Sequence, residues 1–169
     1  MARQRTPEGP PPAPAVQKLR IRYAKRGRLR FSSTRDFARA LERALRRADV
    51  PMAFSAGFHP HPLISYANAA PTGTASEAAY FEIRVTERVD PEAVREALDE
   101  ALPEGLDVIE VVQAGPGSLA DRLEASEWHV VVRGADPQAV IEAVTAYLAC
   151  DVAETTRTFK TGPRTFDTR

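Results

Sequence analysis

One cysteine, Cys150, stands in 169 residues, so the chain cannot close an internal disulfide or build a cysteine-only cluster. Lying before an apolar-alternating segment, it is expected to pack as a small hydrophobe. No apolar run approaches the ~20 residues that span a bilayer. The first basic residues are not followed by the apolar core of a secretory signal. The expectation is a cytoplasmic globular protein with no membrane partner, long enough for one full domain or two small ones. A nucleophile elbow, a P-loop and a dinucleotide fingerprint are all missing, and no cofactor is called for.

Acids are also scarce at the front and at the C-terminal end. Residues 1–50 hold 14 Lys/Arg against 4 Asp/Glu, residues 77–154 hold 5 against 18, and residues 155–169 hold 4 against 1. The net charge of zero therefore hides a polarised chain. The basic front could receive an anionic partner, or the acidic middle could neutralise it within the fold or in an oligomer.

The elements follow from periodicity. Residues 1–16, with Pro10, Pro11, Pro12 and Pro14, predict a disordered, partly extended tail. Alternation from Lys18 to Phe31 predicts a strand with a turn or bulge at Gly27. One face of it is apolar, and the other is an arginine array of Arg20, Arg22, Arg28 and Arg30. Ser32-Ser33-Thr34 and Asp36 start a helix that runs to about Ala48. Phe37, Leu41, Ala44, Leu45 and Ala48 line its buried stripe, and Arg35, Arg39, Arg43 and Arg46 or Arg47 recur on another face. Val50 to Phe54 reads as a short strand. A proline-rich loop from Gly57 to Pro71 follows, with a brief strand at Leu63 to Tyr66. Alternation then predicts a strand from Ala79 to Val85. Asp90-Pro91 opens a helix ending near Leu102, and Leu106 to Val112 reads as a strand. After Gly115-Pro116-Gly117 the pattern restarts: a strand from Leu123 to Val132, a helix opened by Asp136-Pro137, and a strand from Val152 to Phe159.

This order predicts an α+β protein. A ferredoxin-like β-α-β-β-α-β unit over 17–114 is followed by a second, incomplete β-α-β unit over 118–169.

Several stretches resemble one family. They are Arg28-Leu29-Arg30-Phe31-Ser32-Ser33 with Asp36, Leu41 through Ala48 with its Arg46-Arg47 end, and Gly57-Phe58-His59-Pro60-His61-Pro62. Ser76-Glu77 and Lys160 through Arg169 complete the set. Together they resemble the radical-SAM-linked protein family, a domain of unknown function. The resemblance spans roughly residues 18 to 169. It implies a radical-SAM protein as partner and an accessory, adaptor-like role. The chain has no three-cysteine iron–sulfur signature, so it is not itself such an enzyme. Where the family often carries a histidine this sequence has Thr34, and where it usually carries an asparagine it has His59. Family members usually continue past the element matched by Asp167 and Arg169, which suggests a shortened form.

Candidate contacts fall into two groups. Arg28, Arg30, Arg39, Arg43, Arg46, Arg47, His61, Lys160 and Arg164 could line a path for RNA or another anionic substrate. Gly57, Phe58, Pro60 and Pro62 would shape the loop that carries the histidines. His59 and His61 flank Pro60, and extended backbone would turn both rings the same way. Zinc needs three or four ligands, and no acid or cysteine accompanies them at fixed spacing, so no metal site is assigned. Three readings stay open: an adaptor that presents an anionic substrate, a stand-alone RNA-binding protein, and a small-ligand or metal-dependent enzyme at the histidine loop. Oligomeric state is not legible.

Overall fold

The computed structural model describes residues 10–67 and 69–169, so most of the expected tail lies outside the described residues. The chain divides into two compact units, 1–124 and 125–169.

The first unit runs β1 (Gln17–Lys25), α1 (Thr34–Arg47), β2 (Ile64–Ala67), β3 (Ser76–Val85), α2 (Pro91–Ala101) and β4 (Val108–Gln113). The strands form one antiparallel sheet in the order β2-β3-β1-β4. Alternation decides the faces. Leu19, Ile21 and Tyr23 of β1 and Ala79, Phe81, Ile83 and Val85 of β3 are buried with Phe37, Leu41 and Leu45 of α1 and Leu98 of α2. Tyr23 stacks on Phe37 with ring centroids 4.2 Å apart. Residues of the other parity, such as Lys18, Arg20 and Glu82, lie on the opposite face.

Helix boundaries follow local chemistry. Ser33 and Asp36 form a reciprocal capping box, with Asp36 N donating to Ser33 Oγ at 3.1 Å and Ser33 N donating to Asp36 Oδ2 at 3.4 Å. Asp90 caps α2, with Pro91 at the first helical position.

Several expectations need correction. Residues 28–31 do not continue a strand: Gly27–Phe31 is a short 3-10 helix, with Leu29 N donating to Arg26 O and Ser32 N to Leu29 O. A tertiary tie at Arg26, whose N–H donates to Gly105 O at 2.8 Å, ends β1 there. Gly105 has φ of 90°, and a Cβ on it would meet Arg26 O at 3.0 Å. Residues 50–54 make only isolated bridges, Met52 with Val85 and Phe54 with Pro62.

The second unit is α-β-β, not β-α-β. It holds α3 (Pro137–Ala149), β5 (Glu154–Phe159) and β6 (Gly162–Asp167), the strands paired antiparallel. The strand expected over 123–132 is absent. A ladder needs a neighbour, and among the described residues β5 and β6 pair only with each other. Lys160-Thr161 turns the hairpin, so the basic C-terminal segment supplies a strand that alternation did not announce. No residue of this unit is buried, and Cys150 is exposed rather than packed.

Candidate anion interface

The cations of β1 are already partnered. Glu82, 6% exposed, accepts from Lys18 Nζ at 2.9 Å and from Arg20 Nε and Nη2 at 3.0 and 2.7 Å. Burial pushes the Glu82 carboxyl up, but the hydrogen bonds from Lys18 and Arg20 outweigh it and hold the group below the usual carboxylate range. Arg22 Nε donates to Glu77 O at 2.6 Å. Arg26 bridges two carboxylates, Glu77 Oε1 at 2.6 Å and Asp107 Oδ2 at 2.5 Å. Lys18, Arg20 and Arg26 are therefore paired with carboxylates from the acidic middle of the sequence, whereas Arg22 meets only a backbone carbonyl.

The arginines of α1 fare differently. Arg35, Arg39, Arg43 and Arg46 are exposed at spacings of four and three residues, which places them along one face of the helix. Among the described residues Arg35, Arg39 and Arg43 make no salt bridge, and Arg46 makes one long contact with Glu42 at 3.9 Å. Asp36 lies near Arg35 and Arg39. The Ser33 side chain and N–H are the main groups holding its carboxyl below the usual range, with the two guanidiniums adding to it. Arg47 leaves the row and donates to Ala101 O at the C-terminal end of α2, where a cation suits exposed carbonyls. Arg28 is exposed on the 3-10 helix, whereas Arg30 turns back onto Gly27 O at 2.9 Å and lies over the Phe31 ring at 4.4 Å.

The histidine loop is a closed tip held by its backbone. Ser55 N donates to His61 O at 2.9 Å, His61 N to Ser55 Oγ at 3.0 Å, and Leu63 N to Ala53 O at 2.8 Å. Gly57 turns it with φ of 130°, which an L side chain rarely adopts. Phe58 (59% exposed), His59, Pro60 and His61 are all presented to solvent, and Pro62 bridges back to Phe54. Neither histidine joins a group of three metal-ligating side chains among the described residues.

A small depression in the first unit is lined by Tyr23, Lys25, Thr34, Phe37 and Tyr66 among others. Burial raises both Tyr23 and Tyr66 to about 12, with smaller contributions from Tyr66 and Glu42 respectively, so both phenols stay protonated at neutral pH. Burial lowers Lys25, whose Nζ donates to Ser32 O at 3.0 Å just ahead of the α1 cap. That bond ties β1 to the helix start.

In the second unit, Arg164 lies on β6 directly opposite Arg157 of β5. Both guanidiniums sit by the Phe159 ring, at 5.6 Å for Arg157 and 5.7 Å for Arg164. Lys160 is exposed in the turn.

The model of a bacterial family described as an uncharacterized conserved protein, DUF2344, matches residues 18–169. The chain belongs to the DUF2344 family. None of the curated proteins matches it. Within this DUF2344 chain, the match covers β1, the α1 arginine row, the histidine loop and the C-terminal hairpin alike.

Sequence reasoning missed the counterions Glu77, Glu82 and Asp107, because strand pairing brings them from more than fifty residues away. It also missed Arg157. The alternation Thr155, Arg157, Phe159 was available, but only the β6 register shows that Arg157 faces Arg164.

Proposed function

We propose that this protein is a non-catalytic adaptor that holds RNA on the exposed arginine face of α1 and works in the cytoplasm beside a radical-SAM protein. The observation that carries the RNA part is the contrast in pairing. Lys18, Arg20 and Arg26 are satisfied by carboxylates, while Arg35, Arg39 and Arg43 have no ion pair among the described residues. Exposed guanidiniums one helical turn apart suit successive backbone phosphates, which they bind bidentately. The order β-α-β-β-α-β with strand order β2-β3-β1-β4 supports a ferredoxin-like reading of the first unit, in which α1 sits rigidly on the sheet. The radical-SAM setting is supported by the family resemblance of the sequence. It implies an enzyme partner that this chain would supply with substrate.

The test is fluorescence anisotropy of labelled RNA with the purified full chain over a salt series. Arg39→Ala/Arg43→Ala should weaken single-stranded RNA by about 25-fold near 0.1 M salt, on the basis of about 0.7 decade per phosphate contact. Arg20→Ala should change affinity little. Equal losses in both variants, or binding indifferent to salt, would overturn the reading. Co-purification of a radical-SAM protein that survives nuclease treatment is expected for the partner.

A further inference from the structure

We infer that one face of the β5–β6 hairpin is a second nucleic-acid contact, a stacking platform that takes the unpaired bases of single-stranded RNA. This rests on the RNA reading above and adds a site that reading does not use. The register places Thr155, Arg157 and Phe159 of β5 on the same face as Phe166, Arg164 and Gly162 of β6. That face carries two arginines, two phenylalanines and no carboxylate. The acids of the hairpin, Glu154 and Asp167, pair on the other face, and Asp167 accepts from Ala153 N at 2.8 Å and Arg169 N at 3.1 Å.

Two features point to an anionic, planar ligand. Arg157 and Arg164 are direct cross-strand partners, and like charges directly opposite destabilise a two-stranded ladder. No carboxylate on that face neutralises the pair, which meets only the Phe159 ring and, from Arg164, the Thr161 hydroxyl at 3.3 Å, so an anion would relieve the repulsion. The two guanidiniums also flank one ring, Phe159, and Phe159 and Phe166 are each 42% exposed. Aromatic faces and guanidinium planes are the surfaces on which splayed bases stack, while the charges follow the backbone. Lys160 in the turn extends the positive potential. Stacking needs a base face that a duplex hides, so the platform selects single strands, whereas the α1 arginines contact phosphates of either form.

That difference separates the two sites experimentally. The full chain is titrated with a labelled single-stranded RNA and with a duplex of the same length. Phe159→Leu and Phe166→Leu keep apolar bulk but remove the ring. Each should weaken the single strand about tenfold and leave the duplex unchanged. Arg157→Gln should lower the single-strand salt slope by about 0.7, and Arg164→Lys should preserve it. The Thr156–Thr165 hydrogen bond at 2.8 Å lies on the other face and supports the hairpin in all these variants. Should a leucine variant misfold by circular dichroism, the salt slope of Arg157→Gln decides. Wild-type affinity in the leucine variants, or equal affinity for single strand and duplex, overturns the platform. If the platform falls while Arg39→Ala/Arg43→Ala still loses both RNAs, the α1 reading stands alone. If the wild type binds neither RNA, both fall.

Discussion

Strand β1 and helix α1 come from the same basic fifty residues, yet their cations meet opposite fates. Lys18 and Arg20 of β1, and Arg26 just past its end, lie against Glu82, Glu77 and Asp107, while Arg35, Arg39 and Arg43 of α1 have no ion pair among the described residues. The cause is the geometry of the two element types. A strand's lateral neighbours come from elsewhere in the chain, and β1 lies between β3 and β4, both drawn from the acidic middle. A helix's surface neighbours are three and four residues away, hence drawn from the same basic segment. Charge polarity along the sequence therefore becomes ion pairing in the sheet and a row on the helix in which Arg35, Arg39 and Arg43 have no ion pair among the described residues. Net charge alone would have shown neither.

The way to break this comparison with the largest effect is at Glu82. Glu82→Gln leaves Lys18 and Arg20 half-buried without their counterion, and stability should fall by about 2 kcal/mol in urea unfolding, the scale of hydrogen bonds to charged groups. The pH dependence has a definite sign. The folded carboxyl titrates below its ordinary value of 4.5, so its stabilisation is present above 4.5 and is lost as pH falls through the lower folded value. The wild type should show this acid limb and Glu82→Gln should show less of it. The variant should also gain RNA affinity through the two released cations. A variant as stable as wild type would mean that the strand cations are not held by Glu82.

A smaller effect isolates the helix from its charges. Ser33→Ala removes the side-chain cap on Asp36 N and should cost about 1 kcal/mol, read as a lower thermal midpoint. RNA affinity of the folded fraction should stay at the wild-type value, since no arginine moves. A parallel loss of affinity would show that the row depends on the first turn of α1 being fixed.

The helix and its cap were readable because their causes are local: Ser33 with Asp36, Asp90 with Pro91, and the stripe of Phe37, Leu41 and Leu45. What was hidden depends on partners. The alternation of Leu29 and Phe31 resembles a strand until Gly105 takes the Arg26 N–H and a 3-10 helix forms instead. Trp128 to Val132 has strand composition but no neighbour among the described residues to complete a ladder. Gly162-Pro163 looks like the end of structure, yet a proline is tolerated in an edge strand, and Pro163 sits opposite Thr158. The site divides along the same line. The arginine row could be listed from spacing, but which arginines remain unpaired required the register of β1 with β3.

The smallest predicted change is the most discriminating, because its two readouts run in opposite directions. Arg43 lies one turn from both Arg39 and Arg47 and three residues from Arg46, with no ion pair among the described residues. Like charges at these spacings cost roughly 0.2–0.5 kcal/mol per pair, and alanine is at least as good a helix former as arginine. Arg43→Ala should therefore raise stability by a few tenths of a kcal/mol while weakening RNA about fivefold near 0.1 M salt. A structural role would move the two together, since losing a supporting contact lowers stability whatever it does to binding. A gain in stability with unchanged affinity would leave the repulsion intact and remove the ligand proposed to relieve it. Opposed changes would mean that the row is kept against the helix's own preference, as expected if an anion completes it.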